Sequence, residues 1–321
     1  MDIICLGEIL IDMFPAEVGR SMMEVSAFLP KPGGAPANVA VAAARLGAQS
    51  AFIGKVGDDI FGQYLEQVLL DEGVDTRGMR FDKQARTTIV FMAMPDAHSA
   101  EFMFYRNPGA DMLLEPSELD KHMLGGTRVF HFGSISLIDQ PSRSATLRAI
   151  EIAADKGSLI SFDVNYRPTL WNSPKDAVER VRATIPLVNL LKVNEVELSL
   201  LAGTDDLDSG TKTLLDLGPD LCIVTIGAEG SYFRIPTDGE YVPGFKVETV
   251  DSVGCGDAFV AGTLSKLVGE KDWQTKLNAA DLRKVLRYAN AVGALTAMTV
   301  GVIPALPRAS QVDDFLNQMT E

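Results

Sequence analysis

Short apolar or β-branched runs recur at 3–6, 51–56, 128–132, 159–163, 190–193 and 221–226, separated by stretches in which Ala, Leu and Val repeat with helical spacing. Apolar runs this short are too brief for buried helices and suit strands covered on both faces. Repeated alternation with helices therefore predicts an α/β fold with a mostly parallel sheet flanked by helices. The helical stretches are 36–47, 60–72, 142–156, 174–186, 194–202, 256–269 and 281–299. Gly47 and Gly73 suit C-terminal stops, and Pro174 after Ser173 suits a first-turn proline behind an N-cap. A chain of 321 residues fits one large α/β body carrying a smaller insertion.

Two segments interrupt the alternation. The first, 13–32, contains Pro15, Pro30 and Pro32. In the second, 87–105, TTIVFMAM and EFMFY flank a turn with Pro95, Asp96 and His98, which reads as a hairpin. Its aromatic and β-branched residues predict a small sheet that projects from the body and covers a cleft. No internal repeat or low-complexity tract is present.

Hydrophobic residues make up 46% and charged residues 22%, the balance of a packed globular chain. The net charge of −14, with no basic stripe, argues against a nucleic-acid partner. A phosphate-bearing substrate would need local Arg and Lys residues, a divalent cation and helix N-termini to overcome that field. Cys5, Cys222 and Cys255 are widely spaced and odd in number, which suggests neither disulfides nor a zinc site and fits a reducing cytoplasm. MDIICLGEIL lacks an export pattern, and no apolar run reaches the ~20 residues that span a bilayer.

The stretch DSVGCGDAFVAG, 251–262, leads a polar turn with two glycines into a small-residue helix. The N–H groups of Gly254, Cys255 and Gly256 can converge on an anion at the positive end of the helix dipole. Asp257 beside them can take a proton from an attacking hydroxyl. On spacing alone, a glycine turn capped by an acidic first-turn residue describes the same residues. A dinucleotide fingerprint fails because Phe259 stands where its third glycine belongs, and no Walker-type loop exists. Upstream, KPGGAPANVAVAAARLG places Gly33 and Gly34 before a helix bearing Asn38. Asn38, the Gly34 backbone and Asp12 can offer paired donors and acceptors to a polyhydroxylated ligand, although each also suits an ordinary turn, helix or loop.

GGAPANVA together with DSVGCGDAFVAG resembles the two signatures of the ribokinase-like (PfkB) carbohydrate kinase family. The resemblance continues through DVNYRPTLW, KVNEVE, TIGAEG and ANAVGALTAMTVGVIPALP, so it covers nearly the whole chain. It implies a three-layer α/β/α fold with a β-sheet lid: 1–12, 33–86 and 107–321 as the catalytic body, 13–32 and 87–106 as the lid. Asp257 then corresponds to the base and Gly254, Cys255 and Gly256 to the γ-phosphate anion hole. Asp12, Gly33, Gly34, Asn38 and Asn165 fall on the sugar side. Lys192, Asn194, Glu197, Thr225, Gly227, Gly230 and Asn290 fall on the ATP side, with Glu197 organising Mg2+ through water. Asp251, Val253, Thr296 and Gly301 match the place where many relatives hold a monovalent cation, so K+ is implied. Cys255 departs from the usual Ala, and a thiol at a helix N-terminus can be reactive or merely a small filler.

Within the family, FYRNPGADMLL and DVNYRPTLW are most similar to fructokinases, which implies transfer of the ATP γ-phosphate to the 6-hydroxyl of D-fructose. Phe104 can pack on the sugar, and Arg106 and Arg167 can position hydroxyls or stabilise phosphate. A rival is 2-keto-3-deoxygluconate, whose carboxylate would use the same arginines. Gly109-Ala110 departs from the Ser-Ala usual in those kinases, and another ketose or a riboside remains open. A non-catalytic sugar or nucleotide sensor would normally have lost the base or its anion hole. Exposed lid edges suit a two-fold homodimer through the lid.

Overall fold

The computed structural model describes every residue except 18, 96–100, 269–271 and 320–321. In chain order its strands are β1 (Ile3–Leu6), β2 (Leu10–Pro15), β3 (Phe28–Gly33), β4 (Ser50–Gly57), β5 (Asp75–Asp82), β6 (Ile89–Ala93), β7 (Glu101–Tyr105), β8 (Val129–Gly133), β9 (Leu159–Asp163), β10 (Leu190–Asn194), β11 (Leu221–Thr225), β12 (Gly230–Arg234) and β13 (Gly239–Pro243). The α-helices are α1 (Ala35–Arg45), α2 (Ile60–Asp71), α3 (Lys121–Gly125), α4 (Ser142–Ala154), α5 (Pro174–Thr184), α6 (Glu195–Ala202), α7 (Leu207–Leu215), α8 (Cys255–Leu267), α9 (Ala279–Thr296) and α10 (Ala309–Gln318).

Nine strands form the main sheet in the order β13-β12-β11-β10-β9-β8-β1-β4-β5. The pairs from β5 to β11 are parallel, and β12 and β13 add an antiparallel edge. Alternate side chains of each strand go to opposite layers. Ile3 and Cys5 join the core beneath α1, α8 and α9, whereas Ile4 and Leu6 join the one beneath α4 and α6. Helices thus cover both faces in the expected three-layer α/β/α arrangement. A separate four-stranded sheet, β3-β2-β6-β7, is antiparallel except where β2 pairs with β6.

All seven expected helices are present, with ends set by local chemistry. Gly47 and Gly73 follow α1 and α2 with φ of 94° and 78°, and the Ser173 hydroxyl accepts from the Asp176 N–H. The last helix starts two residues earlier than its spacing predicts, capped by Asn278, and stops at Thr296. Beyond that point the Ala297 carbonyl turns to accept the N–H groups of Val250 and Asp251. The edge strand β5, DTRGMRFD, escapes the pattern because Asp75, Arg77, Arg80 and Asp82 interrupt any apolar run. The two flanks of the expected hairpin are β6 and β7, while Asp96 and His98 lie outside the described residues.

The sheet reverses direction about β1, since the chain first adds β4 and β5 on one side and later β8 to β11 on the other. In open α/β sheets such a switch point, at the carboxyl ends of the strands, leaves a crevice for ligands. Gly230, the first residue of β12, has φ of 125°, and a Cβ there would lie 2.3 Å from both Gly244 N and Val242 O. Gly230→Ala is therefore expected to lower unfolding free energy by at least about 1–3 kcal/mol, read from urea denaturation; an unchanged midpoint would contradict that packing.

Candidate active site

The first turn of α8 stands at the crevice. Gly254 precedes it with φ of 82°, and a Cβ there would come within 2.3 Å of Val302 Cγ1, so conformation and packing both require glycine. Among the described residues, the N–H groups of Gly254 and Gly256 meet no protein acceptor, and that of Cys255 makes only a 3.4 Å turn contact with Ser252 O. Unsatisfied donors at the start of a 13-residue helix form an anion site.

Asp257, the third residue of α8, is 8% exposed and accepts a 2.8 Å hydrogen bond from Asn38 Nδ2. The two glycine-rich motifs, 219 residues apart, thus meet in one buried contact. Burial raises the Asp257 carboxyl to about 6; the Asn38 bond opposes the rise, Asp163 adds to it, and Arg167 and Lys192 oppose it. A carboxylate with a pKa near neutrality suits proton abstraction at physiological pH.

Asp12 lies on β2, within the small sheet, and not in a loop after the first strand as its sequence position suggested. In the register Asp12 pairs with Lys31 and with Val90, and Val90 with Phe104, so these four share one face. Gly33 leaves room for Asp12, whose Oδ2 occupies the space of a Cβ there. Burial lifts Asp12 to about 7, against the pull of Arg167 and with help from Asp257. Asp12 thus abuts Gly33 and Asp257 is bonded to Asn38, and the charge of Arg167 bears on both carboxyls. Asn165 is the one described non-glycine residue with positive φ, 41°, in the loop after β9 that also carries exposed Arg167. Arg106 is neither free nor on the surface: its Nε lies 2.7 Å from Asp111 Oδ2 in a buried pair. Thr88 Oγ1 also bonds Asp111 and occupies the space of a Cβ at Gly109, which accounts for glycine there.

On the far side of Asp257, Lys192 is buried against Asp163, 3.0 Å away. Asn194 and Glu197 form a capping box at the start of α6, and Glu197 Oε1 also accepts the Tyr166 N–H at 2.7 Å. Glu197 is 2% exposed with both oxygens engaged. Among the described residues no group of three or more His, Cys, Asp or Glu could hold a metal ion. A Mg2+ carried mainly by substrate phosphates, with few protein ligands, fits this donor set. Thr225 ends β11, and Gly227, with φ of 51°, opens the turn to Gly230. Asn290, expected on the ATP side, donates its amide to the Val242 and Pro243 carbonyls at 3.1 Å and holds β13.

Asp251 accepts from Val253 N at 3.0 Å and from Gly301 N at 2.9 Å, drawing three of the four residues expected at a cation together. Thr296 is buried one residue before Ala297, whose carbonyl bonds the Asp251 N–H. Burial, Asp251 and Asp257 push the Cys255 thiol up to about 12, which favours the filler reading over an ionised thiol. Sequence reasoning missed Glu8 and Asp163. Glu8 Oε1 accepts the Ala35 N–H, and burial raises its carboxyl to about 7. Both are charged residues at the carboxyl end of a buried apolar run, beside Gly7 and within DVN, a signal that could have found them.

The chain matches the pfkB family carbohydrate kinases over residues 1–309. It is 44% identical over 321 residues to probable fructokinase-2 of Arabidopsis thaliana, covering 99% of this chain and 97% of that protein. Fructokinase of Xylella fastidiosa with bound ATP superposes with a TM-score of 0.92 at 33% identity, covering 100% and 99% of the two chains. A double mutant of Vibrio cholerae fructokinase holding fructose, ADP and a potassium ion gives 0.87 at 35% identity, with 98% of each chain covered.

Because the folded pKa of Asp257 lies above the unfolded value of about 4, the folded state binds more protons between those values. Its contribution to stability is then greatest at low pH and is lost as pH rises through about 6. The melting temperature of Asp257→Asn minus that of the parent is expected to grow from pH 4 to 7; a pH-independent difference would contradict the buried carboxylate.

Proposed function

Because the chain belongs to the pfkB family of carbohydrate kinases, we propose that it transfers the γ-phosphoryl group of ATP to the 6-hydroxyl of D-fructose, with Asp257 as the base. That the protein is an ATP-dependent sugar kinase follows from its family and relatives. The observation carrying the assignment of the base is the buried Asp257 carboxylate beside unsatisfied N–H groups at the start of α8.

In this reading the fructose lies against Asp12, Gly33, Gly34, Asn38, Phe104, Asn165 and Arg167. Asp257 takes the proton of the 6-hydroxyl, whose oxygen forms the new bond to the γ-phosphorus. The bond from that phosphorus to the bridging oxygen breaks, and ADP leaves. The N–H groups of Gly254, Cys255 and Gly256 hold the charge on the transferred group. Lys192, Asn194, Glu197, Thr225 and Gly227 frame the nucleotide side, and Mg2+ arriving with ATP neutralises phosphate charge. The small sheet acts as a lid, with 13–32 and 87–106 as its span, and excludes water. Fructose is favoured over 2-keto-3-deoxygluconate because Asp111 already neutralises Arg106.

Three further readings accompany this one. The two loops joined by the Gly301-to-Asp251 hydrogen bond hold K+, as the Vibrio cholerae protein holds potassium. The outer face of the small sheet, with Met103 and Tyr105 about half exposed, joins two copies in a homodimer. The protein works in the cytoplasm, where its three free thiols stay reduced.

Asp257→Asn is expected to lower kcat by about 100- to 10,000-fold while calorimetry still detects sugar binding; near-normal turnover would overturn the assignment. In one batch, turnover of fructose should exceed that of ribose, an aminoimidazole riboside and 2-keto-3-deoxygluconate. Preference for any of the others would replace fructose. Activity in sodium-only buffer should fall below that with K+, and equality would remove the cation from the reading.

A further inference from the structure

We propose that Asp163 is a positioning residue for phosphoryl transfer: it holds the Lys192 ammonium at the mouth of the anion hole, and the pair balances the charge around the proton acceptor. The inference rests on the reading of Asp257 as base. Asp163 closes β9 and Lys192 lies directly opposite it on β10, so the sheet register itself sets the two side chains on one face. Lys192 Nζ is 3.0 Å from Asp163 Oδ1 and 3.3 Å from Oδ2, and both residues are buried. On the other side, that ammonium lies 3.5 Å from the place of a Cβ at Gly256, within the first turn of α8. No side chain at Gly256 separates the ammonium from that turn.

The next layer down on the same sheet face is uncharged. His131 pairs with Ser161 in register, and its Nδ1 lies 3.0 Å from Ser161 Oγ. Burial lowers His131 to about 4, so it is neutral at working pH. Asp163 and Lys192 therefore supply the charge on this wall. A buried ion pair adds little net stability, and fold alone does not account for one facing a helix N-terminus.

The groups that face Asp257 come from several elements: Cys5 on β1, Asp12 on β2, Asn38 on α1, Asp163 on β9, Arg167 after it, Lys192 on β10 and Cys255 on α8. Glu197 on α6 acts on Lys192. Asp163 and Lys192 bear on Asp257 with opposite sign, Asp163 favouring its protonated form and Lys192 its carboxylate. Removing either one exposes the other.

The test is the pH profile of kcat/KM, measured with whichever panel sugar the wild type turns over. The acid limb should move down by about one unit in Asp163→Asn and up by about one unit in Lys192→Met. It should return toward the wild-type position in the double variant and in Asp163→Glu. A merely structural pair would lower activity without moving the limb in opposite directions. Unmoved limbs, or shifts of one sign in both single variants, overturn the proposal. If Asp163→Asn does not fold, Lys192→Met against Lys192→Arg decides, since only Met should shift the limb. A wild-type profile with no acid limb removes Asp257 as the base, and the balancing role with it. A limb present in the wild type but unmoved in the variants removes the balancing role alone.

Discussion

The hydrogen bond from Asn38 to Asp257 is the contact on which the cleft depends. It links the helix after Gly33-Gly34 to the helix after Gly254, and those two helices pack side by side on the same layer of the sheet. The bond also orients the carboxylate. One oxygen is occupied by the amide, while burial keeps the group from ionising as readily as it would in water. Without a donor at position 38, Asp257 would be a buried acid lacking its one side-chain hydrogen bond among the described residues, an arrangement that proteins rarely keep.

Electrostatics explains how a chain with net charge −14 accommodates a nucleotide triphosphate. The cations near Asp257 are not an undifferentiated basic patch. Lys192 is matched by Asp163 and Arg106 by Asp111, each within 3.0 Å, whereas Arg167 is exposed and Lys31 makes no ion pair among the described residues. Lys31 instead rests 4.5 Å over the Phe14 ring, close to Gly301. Much of the attraction for phosphate must then come from backbone N–H groups and the accompanying metal ion, whose strength does not depend on overall charge.

The layered body was legible in the sequence because buried parallel strands read as short apolar runs, and the helices between them carry their own caps. The elements that escaped are those whose stability is tertiary. β5 is a charged edge, and β12 and β13 are short antiparallel additions, of which β13 is largely exposed. At the site, motifs located Asp257, Asn38 and the glycines, since backbone geometry demands particular residue types there. Motifs did not disclose which polar atoms were already engaged. Asn290 has the composition of a ligand contact but holds β13 by two hydrogen bonds, and Arg106 looks available until Asp111 appears beside it. For Asp163 and Glu8 the available signal was position, an acid at the carboxyl end of a buried apolar run, since single acids carry no spacing pattern of their own.

Chain connectivity gives the small sheet a further significance. The strand bearing Asp12 leaves directly from β1, and the strand returning from the sheet runs through Gly33 and Gly34 into the helix of Asn38. No slack linker separates these pieces. A displacement of the small sheet would be transmitted along covalent bonds to Asn38, and through its hydrogen bond to the Asp257 carboxylate. In the proposed reaction, arrival of the sugar and readiness of the base would then be one mechanical event, with the polypeptide itself as the connecting rod.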